Sequence, residues 1–167
     1  LEHYRLIKSH ESPSRRYIRS VRRTQQLTNA SSFRALRNSP SWVKTFEKVP
    51  GATIEGSGAP PGAEVRATAN MQIPSNGRTF SYTQYATANE NGNFDMTLPY
   101  STTGYENFGP KSGYTNVSVR AVSDYRFRTT SDSGPLFTGS ATVTEAQVVG
   151  VDDDPVGPVD RTADRLD

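Results

Sequence analysis

His3 and His10 are the only histidines, and there is no cysteine in the 167 residues. Disulfides and thiolate chemistry are therefore excluded. A nucleophilic triad would have to use one of these two imidazoles as its base, held by a third group in the correct tautomer. Nothing in the sequence around them supplies that set, so no catalytic, cofactor-binding or metal-ligating residues are assigned. The acids Asp152, Asp153 and Asp154 form the densest carboxylate cluster. A calcium loop of the EF-hand kind needs ligands at alternating positions, a central glycine and a closing glutamate. That spacing is missing, and the cluster reads as a solvated acidic segment. Gly56, Gly58 and Gly62 give Gly-x-Gly-x-x-x-Gly. This is not a dinucleotide fingerprint, because strand pattern flanks it on both sides. Gly58-Ala-Pro-Pro-Gly62 reads as a turn.

Groups suited to binding are more plentiful. Arg15, Arg16, Arg19, Arg22 and Arg23 follow Ser12-Pro13, an N-cap residue and a proline at the first helical position. At about 100° per residue, Tyr17, Ile18 and Val21 share one side of a helix and the five arginines the other. That face suits an anionic surface such as lipid headgroups. Stacking aromatics are not interleaved with it as single-strand nucleic-acid binders require, so no nucleic-acid partner is expected. Residues 1–50 hold 11 Lys/Arg against 3 acids, a net of +8; residues 51–167 hold 8 against 14, a net of −6. The basic character thus belongs to the N-terminal third. Tyr82, Tyr85, Tyr100, Tyr105, Tyr114 and Tyr125 would suffice for a sugar-stacking platform, although on a β-sandwich aromatics more often fill the core. Asn29-Ala-Ser31 and Asn116-Val-Ser118 are Asn-x-Ser sequons, making Asn29 and Asn116 candidate N-glycosylation acceptors.

The elements that would position these groups are mostly strands. Val65, Ala67, Ala69, Met71 and Ile73 alternate with polar residues, and Phe80 and Tyr82, then Phe94, Met96 and Leu98, continue the period of two. A further strand is expected over Val117, Val119 and Ala121, running on towards Tyr125 and Phe127, and a last one within 137–149. Asn76-Gly77 and Asn91-Gly92 supply hairpin turns. The pattern predicts a mainly β fold, an antiparallel sandwich or barrel with a short N-terminal α-helical insertion. Three parts are expected. Residues 1–49 are a strand, the arginine helix and a strand that close an upstream domain; 50–150 are the β-sandwich, hinged at Pro50-Gly51; 151–167 are a disordered acidic tail. No stretch has the ~20 apolar residues a membrane-spanning helix needs. With Leu1 in place of a start methionine, the chain reads as a fragment.

Trp42-Val-Lys-Thr-Phe-Glu-Lys-Val-Pro-Gly-Ala-Thr-Ile-Glu-Gly-Ser-Gly58 says most about origin. Together with Glu2-His-Tyr-Arg-Leu-Ile-Lys8, Met96-Thr-Leu-Pro-Tyr-Ser-Thr-Thr-Gly-Tyr105 and Gly113-Tyr-Thr-Asn-Val-Ser118, it resembles the C-terminal extracytoplasmic region of archaeal oligosaccharyltransferases, notably those of salt-loving species. The resemblance runs from residue 1 to about 150. It implies a parent membrane enzyme that moves a glycan from a dolichyl (pyro)phosphate carrier to asparagine in Asn-x-Ser/Thr, using a divalent metal, Mn or Mg. It implies as partners the upstream catalytic and transmembrane regions of the same polypeptide, with the membrane surface or the lipid-linked oligosaccharide nearby, at the extracytoplasmic face of the cell membrane. The family's Trp-Trp-Asp-Tyr-Gly motif has no match here, since Trp42 is the only tryptophan. Its metal-holding carboxylates and Asp-x-x-Lys motif have none either. The expectation is a non-catalytic portion that braces the catalytic domain. The alternative is a cell-surface carbohydrate-binding or adhesion β-sandwich.

Overall fold

Alternation of apolar and polar side chains sorts this chain into two packed faces. The computed structural model describes residues 2–10, 19, 22–23, 43–74, 77–129 and 137–159. Strand β1 (Tyr4–His10) pairs antiparallel with β2 (Val43–Lys48) in a two-stranded ribbon. Strand β3 (Ala52–Gly56) is central in a three-stranded sheet, antiparallel to β6 (Phe94–Leu98) and parallel to β10 (Val156–Val159). Strand β4 (Glu64–Ile73) anchors the largest sheet. It pairs with β5 (Arg78–Thr87) along one edge, and with β8 (Tyr125–Thr129) and the short β7 (Arg120–Ala121) along the other; β9 (Thr138–Ala141) lies outside β8.

The core lies between the two larger sheets. Ala52 and Ile54 from β3, Phe94, Met96 and Leu98 from β6, Val65, Ala67, Ala69 and Met71 from β4, and Tyr125 and Phe127 from β8 are all buried. Phe94 meets Phe137 edge-on at 5.4 Å between ring centres, a favoured aromatic geometry. The same Phe94 ring covers Gly56, where an added Cβ would come within 2.1 Å of it. At Gly92, φ is 77° and the Asn89 side chain accepts from the amides of Asn91 (2.9 Å) and Asn93 (3.0 Å). The expected turn between β5 and β6 is thus held by an asparagine as well as by glycine.

The expected mainly β character is present, but two parts of the expected fold class are corrected. Among the described residues no sheet closes into a barrel: the strand orders end at β5 and β9 in one sheet and at β10 and β6 in the other, and the β10–β3 pair is parallel rather than antiparallel. Among the described residues, the one α-helix with defined ends is not N-terminal. It is α1, Glu145–Val149, near the C-terminus, where a strand was expected. Thr144 Oγ1 accepts from the Gln147 amide while Gln147 Oε1 accepts from the Thr144 amide, and Gly150 closes the helix with φ of 73°. This capping box satisfies two amides that a helix start otherwise leaves open. The amphipathic helix expected from residue 12 falls on positions outside the described residues, apart from the exposed Arg19, Arg22 and Arg23.

Two other segments differ in element. Residues 114–119 are irregular, although Val117 and Val119 are buried, and only Arg120–Ala121 forms a strand before the bend into β8. Part of the expected tail is ordered: β10 runs along β3 with Val159 buried. Two valines that meet an open strand edge gain both burial and main-chain bonds, which the acids before them do not prevent.

Candidate functional site

The chemistry-bearing residues that the fold draws together lie where the ribbon meets the sandwich. Arg5 stands directly opposite Glu47 in the β1–β2 register. A bulge between Leu6 and Lys8 inserts an extra residue, so that Arg5, Leu6 and Ile7 are all buried in succession. Arg5 is 2% exposed. Its Nε and Nη2 contact Glu47 Oε2 at 2.9 and 2.8 Å. Its Nη1 contacts Glu145 Oε1 at 2.7 Å and Oε2 at 2.9 Å. Glu145, in the first turn of α1, is 1% exposed, and buried Ser101 Oγ donates to its Oε2. One guanidinium therefore ties β1 and β2 to α1. Arginine's planar fork suits this better than a lysine point charge, because it donates to two carboxylates at once.

Tyrosines surround the ion pair. The Leu6 amide donates to Tyr100 Oη at 2.7 Å, and Tyr125 Oη donates to the Tyr100 carbonyl at 3.0 Å. Tyr105 Oη donates to the Ser101 carbonyl, and the Arg120 guanidinium sits 4.8 Å from the Tyr105 ring centre. Ser118 bonds the Ile7 carbonyl through both its amide (3.1 Å) and its hydroxyl (2.7 Å). His3 Nδ1 lies 2.7 Å from the Pro50 carbonyl oxygen. Burial raises the pKa of the phenols of Tyr82, Tyr100, Tyr105 and Tyr125 above the usual tyrosine value, Tyr125 most strongly buried. The Tyr82 hydroxyl is buried and makes no hydrogen bond within the described protein.

This arrangement positions and holds; it does not supply a nucleophile, a poised base or an anion hole. Among the described residues no group of three or more His, Cys, Asp or Glu is placed to hold a metal ion, so the divalent ion implied for the parent finds no fitting ligand set in them. No helix among them is long and apolar enough to cross a membrane. Arg19, Arg22 and Arg23 are exposed, whereas Arg15, Arg16 and Asn29 lie outside the described residues. Asn116 is exposed in the irregular stretch before β7. The tyrosines form no surface platform: Tyr82 contacts Tyr100 and Tyr125 at 5.0 and 6.5 Å between ring centres, inside the fold, and of the six only Tyr85 has as much as half of its surface exposed.

Arg5, Glu47, Ser101 and Glu145 were not singled out by the sequence. Arg5 and Glu145 are 140 residues apart, and an isolated charge on a strand normally points to water. The one local signal was the Thr144-x-x-Gln147 box, which marks a helix start and so the turn carrying Glu145.

Residues 51–152 match the family model of the archaeal glycosylation protein B long peripheral domain. The chain is 46% identical, over 159 residues, to the dolichyl-monophosphooligosaccharide–protein glycotransferase AglB of Haloferax volcanii, which covers 92% of this chain and 15% of that relative. Two solved structures from Archaeoglobus fulgidus share the fold at 20% identity and a TM-score of 0.62. One is an oligosaccharyltransferase in complex with Zn and sulfate, the other AglB with an inhibitory peptide and a dolichol-phosphate. They match over 96% of this chain and over 22% and 21% of their own lengths. The chain thus spans under a quarter of each relative.

Proposed function

This chain belongs to the archaeal glycosylation protein B family, as part of an oligosaccharyltransferase of that kind, and from that premise we propose that its sandwich is a non-catalytic brace on the catalytic domain. The carrying observation is the Arg5 joint. A two-stranded ribbon is marginal by itself in water, and here β1–β2 leaves Tyr4, Val43 and Phe46 exposed. In this reading the ribbon closes the upstream catalytic domain, residues 50–150 form the peripheral sandwich, and the Arg5–Glu145 contact transmits the rigidity of the second to the first.

The parent reaction is transfer of a lipid-linked glycan to asparagine in Asn-x-Ser/Thr, with Mn or Mg held by residues elsewhere in the polypeptide. The work is done at the extracytoplasmic face of the cell membrane, with the upstream catalytic and transmembrane regions as partners. The same proposal makes exposed Asn116, and Asn29, glycosylation acceptors. It sets Arg15, Arg16, Arg19, Arg22 and Arg23 against the anionic membrane surface; unchanged liposome binding after Arg15, Arg19 and Arg22 are replaced by Ser would remove that contact.

The brace is tested in the full-length parent enzyme. Removing the equivalent of residues 52–167, or replacing Arg5 with Ala, is expected to lower the thermal midpoint and yield while the surviving enzyme still glycosylates an acceptor peptide. Undiminished stability and yield in both variants would contradict bracing.

A further inference from the structure

The outward face of the largest sheet carries a second group of arginines, of opposite character to Arg5. In the β4–β8 register, Arg66 stands opposite Arg128 and Thr68 opposite Arg126. All three arginines are exposed. The ion pairs that Arg5 makes with Glu47 and Glu145 involve none of them. Like charges directly opposed across a ladder repel, so this placement is a cost to the isolated fold. They line a shallow cleft of about 270 Å³ with Thr68, Asn70 and Ser123. On the other side of β4, Arg66 faces the half-exposed ring of Tyr85, and Thr68 faces Thr83. Glu64 is the acid on this face of β4, at its first residue.

We infer that this sheet face binds an acidic saccharide, with Arg66, Arg126 and Arg128 on its carboxylates. Guanidinium groups pair with carboxylates through two parallel hydrogen bonds. Two residues apart on one strand, Arg126 and Arg128 stand about 7 Å apart, with Arg66 about 5 Å across the ladder, a spacing suited to charges repeated along a chain. The remaining lining is made of hydroxyls and one amide, which suit sugar hydroxyls, and the Tyr85 ring offers an apolar face to sugar C–H groups. A membrane surface is disfavoured because the cleft presents no aliphatic side chain to insert. A nucleic acid is disfavoured because stacking along a strand needs successive aromatics, and Tyr85 stands alone.

The inference is independent of bracing, since it involves neither Arg5 nor the ribbon. Calorimetric titration of the 167-residue chain with tetragalacturonate at low salt is expected to show binding that weakens as salt rises, with no binding of neutral maltotetraose at the same concentration. Arg126→Ser with Arg128→Ser should weaken it at least tenfold, and Tyr85→Ala about threefold, at an unchanged thermal midpoint. Arg126→Lys with Arg128→Lys keeps the charge and should still weaken binding, because the paired geometry is lost. Absence of uronate binding, equal affinity in the Ser double variant, or equal binding to phosphatidylserine vesicles or oligothymidylate would overturn it.

Discussion

Arg5 and Arg128 carry the same side chain in opposite circumstances. Arg5 is buried against two carboxylates; Arg128 is exposed and faces another arginine across the ladder. In the first place, dehydration makes every missing partner expensive, so the charge fixes one arrangement of three elements. In the second, water screens the charge and leaves it available to a partner. The basic character of this chain thus serves two purposes, and burial decides which.

Removing one member of the buried set should have the largest effect. Arg5→Ala leaves buried Glu145 without its cation, beside a partly exposed Glu47, and Glu145→Ala leaves Arg5 half-paired; each is expected to destabilise the chain by about 3–5 kcal/mol, read from urea unfolding. Gly56→Ala comes next. Its Cβ would press into the Phe94 ring, and overpacking of this kind costs about 1–3 kcal/mol.

The tyrosines around the joint give a third contrast. Tyr125→Phe removes a hydrogen bond to the Tyr100 carbonyl and should cost about 1 kcal/mol. Tyr82→Phe removes a buried hydroxyl with no protein partner and should be neutral or stabilising. Their ionisation sets an alkaline limit. The folded pKa values are raised, so above about pH 10 the unfolded chain loses phenolic protons that the folded one keeps. Stability is then full below that pH and falls as pH rises further. Urea midpoints measured from pH 8 to 11 should show this decline, and a Tyr82→Phe variant should show a shallower one. The smallest effect belongs to the exposed arginines: Arg126→Ser should change stability by no more than about 0.5 kcal/mol.

The strands were legible because apolar residues at every second position have one way to be buried. Val65 to Met71 and Phe94 to Leu98 are buried as that period requires. The resemblance carried by residues 42–58 likewise pointed to the right family. What escaped was set by contacts distant in sequence. β10 is a strand because β3 offers it an edge, and no local pattern announces that. The barrel expectation failed because strand spacing limits the number of strands but not whether the last meets the first. The joint was hidden most completely, since a lone arginine between Tyr4 and Leu6 looks the same whether or not a glutamate 140 residues away covers it.

A double-mutant cycle on Arg5→Met and Glu145→Gln, by urea unfolding of the whole chain, tests the joint most directly. The account predicts that the double variant is less destabilised than the sum of the singles, with a coupling of about 1.5–3 kcal/mol. Additivity within about 0.5 kcal/mol would mean that the two residues do not hold the ribbon to the sandwich.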